Sequence, residues 1–368
     1  MNGTLHRGDC RDILPTLDAD SVQCVVTSPP YLGLRDYGVA GQIGLETVPD
    51  CLGWATGLEC GNCFVCELVG VFRHVRRVLR PDGVCWVNLG DSYAGSGRGG
   101  NSDAITGRGK DASRVRASRD DVSDAQRMHA ARGATTRQAR RQGLKENDLM
   151  GMPWRVALAL QADGWFLRQD VVWHKPNPMP ESVTDRCTKA HEYLFMLTRS
   201  ARYYFDAEAI RERASPGTHP RRAGNGAKSP AGWDRSVGEG GHSGKAGRYA
   251  PPAPRKLATN GDATKNNPSF DAAMAVMPET RNKRSVWTIP TEAFADAHFA
   301  TYPQALVEPC ILASTRPGDL VLDPFGGAGT TAVVAERLGR RWAACELNPN
   351  YADMFARRVT ATPPGLGL

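Results

Sequence analysis

Short apolar runs alternate along the chain with longer segments in which apolar positions recur every three or four residues. The run QCVVTS reads as a buried strand that ends in a turn at Ser28-Pro29-Pro30-Tyr31. Leu68, Val71, Phe72, Val75, Val78 and Leu79 share one helical face, and that pattern stops at Arg80-Pro81-Asp82-Gly83. GVCWVNLG follows as a strand. MPWRVALALQADG predicts a helix with Pro153 in its first turn and Gly164 as its stop. WFLRQDVVWH and EYLFMLT read as strands. Further on, DLVLDPF predicts a strand, TTAVVAERLG a helix, RWAACEL a strand, and the residues from Asn350 a last helix. Strands and amphipathic helices in this alternation predict an α/β fold with a mostly parallel sheet. No internal repeat is evident.

Composition narrows the class. In 368 residues, 41% hydrophobic is enough for a buried core and excludes a wholly disordered chain. That length suits two domains, or one large core carrying insertions. No run approaches the ~18 apolar residues of a membrane span. MNGTLHRGDCRDIL lacks the apolar core of a signal peptide, so a cytoplasmic location is expected. The ten cysteines sit in a chain too long and too rich in core-forming sequence for a secreted disulfide scaffold. Several of them, such as Cys24 and Cys85, fall in apolar runs and read as buried thiols.

Charge is unevenly spread. Residues 95–147 hold 12 Lys/Arg against 6 Asp/Glu, and residues 211–284 hold 14 against 6, both in Gly-rich sequence. With an overall charge of +7, the rest of the chain is net acidic. Basic insertions of this kind suit contact with a phosphate backbone. Solvated linkers would have the same composition.

Two turns carry the candidate chemistry. In the first, Asp323-Pro324-Phe325-Gly326-Gly327 leads from a strand into a helix, and Gly327-x-Gly329-x-x-Ala332 fits the turn whose glycines let backbone approach a ligand at a helix N-terminus. Glu346 ends the next strand, where an acid grips ribose hydroxyls. A dinucleotide and S-adenosylmethionine both present an adenosine to such a turn. A phosphate-binding loop is not expected, because Thr330-Thr331 stands where Gly-Lys belongs. In the second turn, Pro29 and Pro30 lack backbone donors. It therefore offers acceptors, the Ser28 hydroxyl and the Pro29 carbonyl, with the Tyr31 ring beyond; that set suits the exocyclic amine of a flat base, and a purely structural proline loop would have the same sequence.

TSPPY followed far downstream by DPFGGAGTT resembles the amino-methylating DNA methyltransferases that use S-adenosylmethionine, in the permuted motif order called the beta class. The resemblance spans nearly the whole chain outside the basic insertions. It implies a Rossmann-like methyltransferase fold with the C-terminal strand–helix unit beside a strand at Thr4–His6. Arg7-Gly-Asp-Cys10 matches the segment that contacts the cofactor adenine, implying Asp9 and Cys10. The stretch from His298 to Pro303 matches the element flanking the methionine end. The cofactor-binding set so implied is Asp9, Cys10, Thr301, Pro303, Asp323, Pro324, Phe325, Gly326, Gly327, Gly329, Thr330, Glu346 and Asn348. The catalytic set is Ser28, Pro29, Pro30 and Tyr31. Trp173 to Pro180 resembles the family's loop that closes over the flipped base.

TSPPY is more similar to the cytosine-N4 signature than to the adenine-N6 forms, although Ser-Pro-Pro-Tyr also occurs in the latter. The reading is thus a cytosine-N4 methyltransferase of double-stranded DNA acting by base flipping, with adenine-N6 as the alternative and a non-catalytic nucleic-acid-binding module as a further one. A carbon-5 enzyme would instead need a nucleophilic cysteine, and the Pro-Cys pair that serves that role is expected to be absent here. The implied division is a catalytic half at 1–94, a basic insertion at 95–149, core again at 150–210, a target-recognition region at 211–284 and a cofactor half at 285–368. A homodimer and a cognate restriction endonuclease are left open as partners.

The family pattern does not supply one feature. Cys51, Cys60, Cys63 and Cys66 provide four thiols in a short Gly-containing stretch with Cys-x-x-Cys spacing, the ligand set of a structural zinc. Free thiols and an iron–sulfur cluster are the alternatives.

Overall fold

A computed structural model of the chain describes residues 2–34, 36–46, 50–94, 144–145, 147–214, 279–292 and 301–363. The basic insertions and His298 fall largely outside these residues. In chain order the first elements are β1 (Gly3–Arg7), α1 (Cys10–Ile13), β2 (Val22–Thr27), α2 (Phe64–Val78) and β3 (Leu79–Leu89). Next come α3 (Met152–Ala162), β4 (Phe166–His174), β5 (His191–Thr198), β6 (Glu212–Arg213), β7 (Thr280–Arg281) and β8 (Val286–Thr288). The last are α4 (Gln304–Ser314), β9 (Leu320–Asp323), α5 (Thr330–Arg337), β10 (Arg341–Glu346) and α6 (Pro349–Thr360). The chain divides into one unit of residues 1–210 with 283–368 and a second of residues 211–282. In the second, β6 and β7 pair antiparallel.

The first unit is built on an eight-stranded sheet in the order β1-β10-β9-β2-β3-β5-β4-β8. Every pairing is parallel except those of β5, which runs against both β3 and β4. β1 and β10 pair with Thr4 opposite Ala343 and Arg7 opposite Glu346, so the two ends of the chain share one edge of the sheet. The motif order implied this neighbourhood.

Alternation along the strands decides which face each residue packs on. Val25 and Leu322 point into one core with Leu68, Phe72 and Val75 of α2 and Val156 and Leu160 of α3. Cys24, Val26 and Val321 point the other way, onto Val307 and Ile311 of α4, Val333 of α5 and Phe355 of α6. The result is a sheet covered by helices on both faces. Its central strands are therefore buried on both sides and mostly apolar: all six residues of β2 are buried. Among the described residues, no helix is long and apolar enough to cross a membrane.

The sequence reading does not mark the short elements α1, β6, β7 and β8, and three longer ones differ from it. α2 begins at Phe64 rather than Leu68, with Cys63 at its N-cap. Arg80-Pro81-Asp82-Gly83 does not leave the sheet; it bulges out of β3 opposite Gln23, between the pairs Val22–Leu79 and Cys24–Val84. Gly83 makes the bulge possible, since a Cβ there would lie 2.7 Å from the Leu79 side chain and 3.0 Å from the Gln23 carbonyl. α4 was not legible: it is mostly apolar, with no sharp polar face, and carries Pro309 inside it.

Candidate active site

β2 and β9 are adjacent parallel strands, so the turns that follow them open on the same side of the sheet. Open α/β sheets bind ligands at these carboxyl ends. Thr27, the last residue of β2, donates through Oγ1 to Asp323 Oδ1 at 2.7 Å, which ties the two strand ends together. Thr331 Oγ1 adds a bond to the Val26 carbonyl at 3.0 Å.

One cavity lies above these ends. Ser28, Pro29, Pro30 and Tyr31 line it together with Asp9, Cys10, Thr301, Pro324, Phe325, Gly326, Gly327, Thr330, Glu346 and Asn348. Three residues expected there stand behind the wall instead. Asp323 is 1% exposed, and its carboxylate is occupied by Thr27, by the Tyr302 hydroxyl at 2.8 Å and by the Phe325 N–H at 3.1 Å. Burial raises its pKa, and those donors oppose the rise. It braces the turn rather than reaching the cavity. Gly329 caps α5 with φ of +80°, and a Cβ there would meet the Phe355 ring at 2.9 Å. Pro303 caps α4.

Glu346 sits at the end of β10 and accepts from the backbone N–H of Gly327 at 2.6 Å and of Asn348 at 2.8 Å. Burial pushes its carboxyl up to about 7 despite those two donors. Asp9, after β1, behaves in the opposite way. Partial burial pushes its pKa up, but the Arg11 guanidinium, bonded to Oδ2 at 2.6 Å, holds it below its ordinary value. Asn348 caps α6 by accepting from the Asn350 N–H at 3.0 Å.

The Tyr31 side chain is fixed by partners the sequence reading left out. Its hydroxyl donates to Glu192 Oε2 at 2.9 Å and accepts from Asn88 Nδ2 at 2.8 Å. Burial and the Glu192 charge raise the phenol pKa, so it stays a donor. Ser28 Oγ lies 3.3 Å from the same hydroxyl. Lys175 pairs with Glu192 and lies 4.3 Å from the centre of the Trp173 ring. Asn88, Trp173, Lys175, Glu192 and Tyr302 all line the cavity. Asn88 Oδ1 is buried without a hydrogen-bond partner among the described residues. In the sequence, Asn88 shows only as the amide inside the apolar run GVCWVNL, and Glu192 as the acid opening EYLFMLT. The antiparallel pairing of β3 with β5 brings them together.

Two groups of cysteines fall elsewhere. A Pro-Cys pair is present after all, at Pro309-Cys310, but it lies inside α4, with Cys310 fully buried and its thiol donating to the Leu306 carbonyl at 3.2 Å. It does not line the cavity. Cys51, Cys60, Cys63 and Cys66 converge at the start of α2, also outside the cavity.

Residues 22–357 match a family model described as DNA methylase. The chain is 39% identical over 360 residues to the Type II methyltransferase M.Cfr9I of Citrobacter freundii, covering 98% of this chain and 88% of that protein. It is 37% identical over 352 residues to the Type II methyltransferase M.SmaI of Serratia marcescens, covering 96% and 89%. Among solved structures, the fold is similar to the PvuII DNA methyltransferase (cytosine-N4-specific), at a TM-score of 0.54 and 18% identity over 97% of this chain and 86% of that one. It is also similar to a putative DNA modification methylase of Thermus thermophilus complexed with S-adenosyl-L-methionine, at a TM-score of 0.50 and 21% identity over 100% and 96%.

Proposed function

The chain belongs to the DNA methylase family, and on that premise we propose that it transfers a methyl group from S-adenosylmethionine to the exocyclic N4 of cytosine in double-stranded DNA. The observation that carries this reading is the single cavity shared by the Ser28–Tyr31 turn and the Gly-rich turn after β9. The cytosine preference rests on the form of TSPPY. The Type II relatives support a role beside a cognate restriction endonuclease.

The cavity suits an adenosine-bearing cofactor. Gly327 has φ of +51° and leaves its turn open to close approach, while Glu346, held by two backbone N–H groups, offers carboxylate lone pairs to ribose hydroxyls. Asp9, which also lines the cavity, is the candidate acceptor for the adenine amine. When bound, S-adenosylmethionine supplies a methyl group on a positively charged sulfur.

The chain's own part is positioning. An exocyclic amine is a weak nucleophile because its lone pair is delocalised into the ring. Ser28 Oγ and the Pro29 carbonyl are acceptors for its two N–H groups. Bonds from those hydrogens draw the nitrogen toward a tetrahedral shape and aim its lone pair at the methyl. Most of the acceleration then comes from orientation and exclusion of water. The base must leave the duplex to reach these groups, at a cost of a few kcal/mol, offset by contact with the Tyr31 and Trp173 rings.

Plasmid DNA treated with the pure protein and S-adenosylmethionine, digested to nucleosides and analysed by mass spectrometry, should contain 4-methylcytosine. Finding 6-methyladenine instead would move the same chemistry to adenine. No methylated base from a protein that still binds the cofactor would defeat the catalytic reading.

A further inference from the structure

The cysteine cluster at the entry to α2 is outside the methyl-transfer site and has its own geometry. Cys51 Sγ lies 3.6 Å from Cys66 Sγ, Cys60 Sγ 3.9 Å from Cys66 Sγ, and Cys63 Sγ 4.0 Å from Cys51 Sγ. All four sulfurs lie within 4.8 Å of one another. Four thiolates at about 2.3 Å from a tetrahedral ion stand about 3.8 Å apart. A disulfide would bring two sulfurs to about 2.05 Å and leave the pairs separate. Here Cys51 and Cys66 each approach two of the other three thiols. A polynuclear iron–sulfur cluster would spread the sulfurs over separate irons, whereas this group is compact enough for one central ion.

The helix start and the loop before it direct backbone donors at this group. Cys63 caps α2 and Cys66 lies in its first turn, where the helix dipole and free N–H groups favour negative charge. The Gly53 N–H donates to Cys51 Sγ at 3.2 Å. Gly61, between Cys60 and Cys63, takes φ of +75°, which lets the chain turn back within the Cys-x-x-Cys segment.

We propose that Cys51, Cys60, Cys63 and Cys66 bind one structural zinc ion that staples the loop before α2 to the first turn of that helix. Flanking contacts carry its effect outward. Asp50 pairs with Arg155 of α3 at 3.0 Å. Glu67, next to Cys66, pairs with Arg11 at 2.9 Å, and Arg11 in turn holds Asp9 at 2.6 Å on the cavity wall. The ion thus steadies a helix start from which one side of the cavity is braced.

Full-length protein purified under reducing conditions, with no metal or chelator added, should carry about one zinc per chain by plasma mass spectrometry. Cys60→Ser should remove most of it, while Cys187→Ser, at an exposed cysteine outside the cluster, should leave it in place. Exchange into cobalt(II) should give the visible bands of a tetrahedral tetrathiolate, a signature that does not depend on activity. Less than about a tenth of an equivalent of zinc, iron in its place, or disulfides among these cysteines by intact mass would overturn the proposal. Chelation should lower the thermal midpoint, and zinc should restore it. Weaker S-adenosylmethionine binding after chelation tests the path through Arg11, and this arm alone rests on the proposed function. Holo-protein that keeps its zinc but binds no cofactor would refute that function and leave the metal site standing.

Discussion

Glu346 shows how one side chain can be made conditional. Burial drives its carboxyl toward the neutral form, and the N–H groups of Gly327 and Asn348 only partly reverse that, leaving it near 7. Under the proposed function, the ionised form would accept bonds from ribose while keeping both backbone donors; a proton on the carboxyl would compete with one of them. Because the pKa is raised, the charged form is present above about 7 and is lost as pH falls through that value. S-adenosylmethionine affinity, measured by calorimetry, should therefore weaken over the unit below that point, by up to about tenfold per pH unit. Glu346→Gln should bind weakly and show a flat profile. A wild-type slope surviving in the variant would assign the titration to another group. Asp9 contributes no such dependence near neutrality, because Arg11 holds its pKa low against the push of burial.

At the scale of elements, the site depends on two strand ends staying in register. Thr27 closes β2 and Asp323 closes β9, and their hydrogen bond joins the Ser28–Tyr31 turn to the Gly-rich turn after β9. Thr27→Val keeps the shape and removes the donor, leaving a buried carboxyl with fewer partners. A loss of about 1–3 kcal/mol in stability is expected, visible as a lower urea midpoint with an unchanged slope. An unaltered midpoint would show that Tyr302 and the Phe325 N–H satisfy Asp323 alone.

The same scale explains what could be read from sequence and what could not. β2, β9 and β10 were legible because both faces of each are covered and apolar residues dominate them, with Gln23 inside β2 and the other polar residues at strand ends. The end of the α2 pattern was legible too, but the breakers that follow it were absorbed as a bulge because β3 must stay paired with β2. α4 shows little periodicity because it packs under the sheet and is mostly apolar. Asn88 and Glu192 carry no local signal of a shared task; they are more than a hundred residues apart and meet by strand pairing.

Across the whole molecule, charge is concentrated away from the acidic core. Residues 95–147 and 211–284 carry the excess of Lys and Arg, and each cation neutralising a phosphate adds about 0.9 to the slope of log affinity against log salt. Replacing Arg114, Arg116 and Arg119 with Ser should flatten that slope for DNA by up to about 3, read by fluorescence anisotropy, with cofactor affinity unchanged. An unaltered slope would make this segment a solvated linker.

The sequence by itself determined the alternation of strands and helices, the order of the two turns, and the chemical character of each, because these depend on local periodicity, backbone donors and residue type. Tertiary structure alone decided which candidates face the cavity. It put Asp323 behind the wall, since a buried carboxylate must satisfy its lone pairs with whichever donors the neighbouring strands provide, and it gave Tyr31 partners on β3 and β5. It also drew four thiols to within van der Waals contact or little more. Distances between residues far apart in the chain follow from how the sheet is ordered, and no window of sequence contains that order.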